Sequence, residues 1–280
     1  MTDGKKKILD YIDERADLIT EVSDKIWEYA ELSLREYKSG DLYAKVFEEE
    51  GFVVEHPFDN IETALKASYG SGKPVIGILA EYDALTGLSQ VAGLSQRKEL
   101  VPDGNGHGCG HNLIATCSVG AFLGLASMME DLPGRICIIG TPAEEGGAGK
   151  VKLLRNGAFD DVDFAMMMHP SSGGSNLVGR GGRAACTVKV HFKGRGAHSS
   201  APKNGINALS AVISVFNQID LLRPTFDPQD NINGIITNGG AAANIIPAEA
   251  ACAFCLRADT MKRIEELIDC LLYTSDAADD

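Results

Sequence analysis

No apolar run in the sequence approaches the ~20 residues that a membrane-spanning helix needs. The opening stretch MTDGKKKILDYIDERADL carries lysines but lacks the apolar core of a secretory signal, so export by that route is not expected. Basic charge is scarce: 26 Lys and Arg stand against 39 Asp and Glu, a formal net charge of −13. Such a chain repels phosphate backbones and anionic lipid, which argues against nucleic-acid and membrane-surface partners. Internal repeats are absent. The seven cysteines are odd in number and scattered through a chain long enough to build its own core. A disulfide framework is therefore not expected, and a reduced, cytoplasmic setting is. Cys252 and Cys255 form a C-x-x-C, but it sits in the apolar run AEAACAFCLRAD with no second ligand pair and reads as strand core.

What is present is ordinary globular material, 44% hydrophobic and 23% charged over 280 residues, enough for one large domain or two modest ones. Apolar residues at helical spacing predict one long helix over 5–31 and another over 36–50, ending at Gly51. The runs FVVEH, TALKASY and PVIGILAEY predict strands, the last apolar enough to be buried on both faces. A polar, glycine-rich loop covers 86–106. A helix from Cys109 to about Glu130, the strand RICIIGTP, the helix AGKVKLLRNGAF and the strand VDFAMMMHP follow. Strands alternating with helices predict an α/β fold, a mostly parallel sheet with helices on both faces. Sites in such sheets gather at the carboxyl ends of strands. Glu81 and Asp83, Glu144 and Glu145, and His169 all fall there.

The stretch SSGGSNLVGRGGR separates a second unit of order strand, helix, strand, strand, helix, an α+β lid lacking only its last strand. The expected division is 1–183, 184–269 and a tail. Residues 270–279, CLLYTSDAAD, match one reading frame of a sequencing-library transposase adapter, so 270–280 is expected to be non-native.

The motif GNGHGCGHN brings together His107, Cys109 and His111, residue types that zinc prefers, in a loop whose glycines let the backbone wrap an ion. It also fits a tight turn with Asn112 capping a helix, and the string alone leaves both open. In TPAEEGGAGK, two adjacent carboxylates suit a metal ligand beside a general base, or a solvated acidic helix start. A phosphate loop is excluded there, because Glu144 takes the first glycine position and Val151 that of the magnesium-binding hydroxyl. His169 in MMMHPSS and His198 in GRGAHSSAP each fit a structural role when read alone.

Together EYDAL, GHGCGHN, TPAEEGGAGK, MMMHP, GRGAHSSAP and ANIIPAEA occur in the order of a known family. The chain resembles the amidohydrolase branch of the aminoacylase/carboxypeptidase metallopeptidases, from about Leu9 to Asp269. The resemblance implies one or two divalent ions, zinc or manganese, held by Cys109, His111, Glu145 and His169. It makes Glu144 the general base and His198 a lid histidine that stabilises the oxyanion in the partner subunit's site. Asn244 and Arg257 become substrate contacts, and Asp83 a support of the metal cluster. The implied activity is hydrolysis of an amide bond in an N-acyl amino acid or small dipeptide, of aminobenzoyl-glutamate or β-alanyl-lysine type, by a homodimer paired through the lid. Two departures accompany it. Glu81 stands where other branches carry a metal-binding histidine, and the family's last ligand, a carboxyl-terminal histidine, has no counterpart. A truncated chain of this kind is expected to be inactive and poorly soluble alone, and a catalytically silent metal-binding homologue is the alternative reading.

Overall fold

The computed structural model describes residues 2–130, 132–171, 174, 178–179 and 182–279, with the backbone alone for 276–279. Its contacts form two units, Met1–Gly174 and Ser175–Asp280. None of the described helices is long and apolar enough to cross a membrane.

The first unit opens with α1 (Asp3–Glu14) and α2 (Ala16–Tyr29), where the apolar spacing predicted a single helix. The break falls at Arg15 (φ −100°, ψ 8°), whose guanidinium bonds Tyr11 and pairs with Glu50. No glycine or proline marks it. A tertiary ion pair accompanies the turn, and a one-dimensional periodicity cannot register that. Then come α3 (Tyr37–Glu49), β1 (Val53–Glu55), β2 (Leu65–Ser71), β3 (Val75–Ala80), α4 (His111–Ala126), β4 (Gly134–Gly140), α5 (Glu144–Gly147), α6 (Gly149–Asn156) and β5 (Phe164–Met166).

These strands form one sheet in the order β1-β2-β4-β3-β5. β2 runs antiparallel to both neighbours, while β4, β3 and β5 pair in parallel, so four of five strands share a direction. Side chains alternate across the sheet. Leu65, Ala67, Ile78, Ile136 and Ile138 pack under α2, α3 and α4 with Val22, Ile26, Phe47, Val119 and Phe122. Val75, Cys137 and Ile139 face the other side, against Leu153 of α6, Phe58 and Ala158. Helices thus cover both faces, and the fold class is α/β. The register aligns Ala80 with Gly140 and Ile78 with Met166. The three segments that follow these strands therefore leave one edge of the sheet side by side.

The second unit contains β6 (Ala184–Lys193), β7 (Ala197–His198), α7 (Ala208–Leu222), β8 (Asn231–Asn238), β9 (Ile245–Ile246), β10 (Glu249–Ala258) and α8 (Met261–Asp279). β10 lies between β6 and β8, antiparallel to both, and β7 pairs with β9 in a separate ribbon. Asn207 caps α7 by accepting the Leu209 N–H at 3.0 Å. Val212, Val215, Ile219, Ile264 and Leu267 of the two helices bury the inner sheet residues Phe192, Phe254 and Leu256. α8 runs on through the adapter-like segment, with Leu271 in that same core. Cys252 is buried on the core side of β10, and Cys255, three residues on, lies on the opposite face. The strand's period of two keeps that C-x-x-C from acting as a pair.

In the first unit the Lys66 side chain is buried over the Phe58 ring and reaches Asp161 at 3.1 Å, which also pairs with Arg135. Burial pushes the Asp161 carboxyl up, but hydrogen bonds from Lys66 and Arg135 outweigh it and hold it below its ordinary value. A carboxylate with a depressed folded pKa stabilises above its unfolded pKa and loses that contribution as pH falls through the folded value. Solvent screens this carboxylate, so Asp161→Asn is expected to cost only about 0.5–1 kcal/mol at pH 7 in urea denaturation. The gap from wild type should close as pH drops below about 4, and an undiminished gap would show that the ion pair is not its source.

Candidate metal centre

Three strand ends and one helix start build the site. β3 ends at Ala80 and delivers Glu81 and Asp83; β4 ends at Gly140 and delivers Glu144 and Glu145; β5 ends at Met166 and delivers His169. Cys109 and His111 come from the glycine-rich loop and the first residue of α4. Cys109, His111 and His169 each present a ligand atom, all within 4.8 Å of one another, and so do His111, Glu144 and Glu145. His111 belongs to both groups. The cap reading of Asn112 is corrected: Gly110 occupies the cap position, and the buried Asn112 side chain instead donates to Ser23 at 3.1 Å. His107 turns away as well, with its Nε2 at 2.9 Å from the Ile26 carbonyl oxygen.

Protonation follows from the hydrogen bonds. His111 is fully buried, and its Nδ1 lies 2.9 Å from both the carbonyl oxygen and the carboxylate Oδ1 of Asp83. A nitrogen facing two acceptors carries the proton, which leaves Nε2 as a lone pair. His169 is set the same way, its Nδ1 donating to the Pro170 carbonyl at 2.7 Å and its Nε2 lying 3.5 Å from Cys109 Sγ. Asp83 also accepts the Glu145 backbone N–H at 2.9 Å and the Ser33 hydroxyl at 2.8 Å. Burial works against the Asp83 charge, but these three donors together keep its pKa below the ordinary value.

The lone pairs then meet. His111 Nε2 lies 3.3 Å from Glu81 Oε2, 3.8 Å from Glu145 Oε1 and 3.9 Å from Glu144 Oε2. Nε2, Glu81 Oε2 and Glu145 Oε1 are buried without a hydrogen-bond partner. Buried acceptors facing one another repel unless a cation or a proton lies between them. Burial opposes charging His111, yet its hydrogen bond to Asp83 and the surrounding carboxylates raise its pKa. Burial, offset by His111 and reinforced by Glu144, raises Glu145. Burial first, then Glu145 and Glu144, push the Cys109 thiol up to about 11. Burial and crowded carboxylates shape these shifts, and the donor set of nitrogen, oxygen and sulfur fits a divalent metal ion.

Two site residues lie outside the expected set. Glu81, noted in the sequence at a strand end and as a departure from the family's ligands, enters the cluster, and Lys150 pairs with its Oε1. The signal for Lys150 was the GGAGK string, which sequence reasoning tested only as a phosphate loop. The loop around the carboxylates is tightly wound. Ala143 and Ala148 flank α5 with left-handed backbones, φ 61° and 50°. A Cβ at Gly149 would stand 1.7 Å from the Pro142 carbonyl oxygen, so only glycine fits there.

Likeness to known proteins agrees with this geometry. The family model for peptidase family M20/M25/M40 matches residues 77–246. The chain is 37% identical over 254 residues to a p-aminobenzoyl-glutamate hydrolase polypeptide of Escherichia coli, covering 89% of this chain and 53% of that protein. The chain belongs to peptidase family M20/M25/M40. It is also 33% identical to the mouse Xaa-Arg dipeptidase, over 94% of this chain and 60% of that protein. It thus spans between half and three fifths of the length of these relatives. A dinuclear metal-binding M20 peptidase of Bacillus subtilis shares the fold with a TM-score of 0.67 at 22% identity, covering 94% of this chain and 70% of that one. An aminobenzoyl-glutamate utilization protein from Klebsiella pneumoniae shares it at 0.64 and 17% identity, over 98% of this chain and 75% of that one.

In this M20/M25/M40 chain the remaining expected residues lie in the second unit. His198 stands on β7 opposite Ile245, and the Asn244 carbonyl accepts the Ser199 N–H at 3.0 Å, so His198 and Asn244 are neighbours on one ribbon. The Ser200 N–H donates to His198 Nδ1 at 3.2 Å, which leaves the neutral ring's proton on Nε2. Arg257 is not brought to them. It lies near the far end of β10 from Glu249, where that ribbon joins, ~26 Å away at ~3.3 Å per residue.

With Cys109 as a ligand, a metal would have to displace its proton, and zinc affinity is then expected to rise about tenfold per pH unit between pH 6 and 9. Asp83→Ala, which frees the His111 ring, should weaken zinc about 10–100-fold. Competition titration against a chromophoric chelator measures both. A pH-independent affinity would remove Cys109 from the ligand set.

Proposed function

We propose that the chain carries the metal-binding half of an amidohydrolase that cleaves an N-acyl amino acid or small dipeptide. The observation that supports it best is the pairing of Glu144 and Glu145 against His111, with the Glu144 side chain 43% exposed and that of Glu145 only 21%. The more buried carboxylate suits a ligand, and the more open one suits proton traffic with substrate. Cys109, His111, Glu145 and His169 would hold the ion, and the soft sulfur donor favours zinc, with manganese as the second candidate. The chemistry supplied by a bound divalent ion is a water acidic enough to ionise near neutrality, together with polarisation of the scissile carbonyl.

The chain's own groups do the rest. Glu144 Oε2 takes the proton of the attacking water and returns it to the departing amine nitrogen. Asp83 holds the main chain of Glu145 through its N–H. His198 would offer its Nε2–H to the oxyanion developing in the partner subunit's site, and Asn244 would contact substrate. Arg257 is left out of this set because of its distance along β10. Pairing of two copies through the second unit is proposed with it; β8 ends that sheet, with Ile235 and Ile236 exposed. The relatives' names point to aminobenzoyl-glutamate and Xaa-Arg dipeptides as first substrates, with β-alanyl-lysine beside them.

The test uses the 280-residue chain and a version extended with the carboxyl-terminal segment of the Escherichia coli relative, each loaded with zinc or manganese. Glu144→Gln should keep the metal and lose ~10²–10⁴-fold in turnover. Undiminished turnover would exclude Glu144 as the base. Metal binding without hydrolysis of any of the three substrates, even in the extended version, would favour a catalytically silent metal-binding homologue.

A further inference from the structure

Glu36 is fully buried and has no cationic partner among the described residues. It stands at the amino-terminal cap of α3, yet its side chain makes no capping bond there. Glu31 does that work, accepting the N–H groups of Lys38 at 3.1 Å and Ser39 at 2.9 Å. The Glu36 carboxyl turns instead to the other end of the unit and accepts the Ala143 N–H at 2.7 Å, across 107 residues of chain. Its second oxygen is buried without a hydrogen-bond partner among the described residues.

Ala143 is the residue before the carboxylate pair, fully buried, with a left-handed backbone at φ 61° and ψ 43°. A non-glycine residue holds such a backbone only when its surroundings impose it. Its carbonyl is committed as well, accepting the N–H groups of Gly147 and Gly149 at 3.1 Å each. The Glu36 bond is therefore the restraint on the amide side of a strained peptide whose next two side chains face His111.

We infer that Glu36 is a positioning residue for the metal centre: by gripping the Ala143 amide it sets the direction in which Glu144 and Glu145 leave the sheet. The inference rests on the proposed roles of those two carboxylates. A buried carboxyl without a cation favours its neutral form, and burial raises Glu36 accordingly. In that form one oxygen still accepts from Ala143. Glutamine reproduces that bond with its amide oxygen; alanine does not. Aspartate keeps the acid but withdraws it by one methylene.

The experiment is a zinc competition titration of the full 280-residue chain carrying Glu36→Gln, Glu36→Ala or Glu36→Asp, with the melting temperature of the metal-free protein followed in parallel. Glu36→Ala and Glu36→Asp are expected to weaken zinc ~10–100-fold, as loss of a group supporting a ligand does, and Glu36→Gln to restore most of it. Should Glu36→Ala not fold, Glu36→Asp carries the comparison. Wild-type zinc affinity in Glu36→Ala or Glu36→Asp, or a Glu36→Gln as impaired as either, overturns the inference while leaving the metal centre standing. A wild-type chain that binds neither zinc nor manganese overturns the metal reading and this inference with it.

Discussion

One buried carboxylate organises the first unit's chemistry. Asp83 receives the His111 ring, the Glu145 backbone and the Ser33 hydroxyl, and so ties α4, the loop after β4 and the chain after α2 to the end of β3. Its position on the sheet edge is fixed by β3, which has a strand on either side. Were the His111 ring free to rotate, its second nitrogen would not be committed to facing Glu81, Glu144 and Glu145. The convergence of lone pairs that makes the site cationophilic is thus a consequence of a single acceptor with three donors.

That convergence is expensive in an ion-free protein, and the cost is distributed. Lys150 neutralises one oxygen of Glu81. Two alanines hold left-handed backbones around α5, and Gly149 lies where no side chain fits. Left-handed backbones mark the stretch from Ala143 to Gly149, the facing atoms of Glu81, His111 and Glu145 are buried without partners, and the sheet beneath is ordinary, well-packed aliphatic core. This division is what a rigid scaffold carrying a functional edge requires.

The sheet was legible because PVIGILAEY and RICIIGTP are continuous apolar runs, and buried parallel strands have that signature. The candidate ligands were named through the family resemblance, because GNGHGCGHN, TPAEEGGAGK and MMMHP each also fit a structural role when read alone. What escaped was long-range. Arg15 breaks the first helix beside an ion pair with Glu50, and no local residue announces it. Asn112 looks like a cap and is a buried tether to Ser23. Ser33, Glu36 and Lys150 are common residue types, and only the fold shows that each meets a partner 50, 107 or 69 residues away. Arg257 shows the converse: a residue plausible by type as a substrate contact, separated by strand length from His198 and Asn244.

The wide sequence separation of these contacts bears on how the site comes into being. Ser33 waits for Asp83, Cys109 for His169 and Glu36 for Ala143, so no fragment of the first unit contains a working cluster. Contacts closed over such spans form late, because the entropy of long loops must be met before any of them contributes. An ion arriving early on the folding path finds isolated histidines and carboxylates rather than a cage, and cannot nucleate the fold as it does in a zinc finger. Metal uptake here is therefore a step that follows folding, and an ion held at this centre certifies that the chain from α2 to β5 has already assembled.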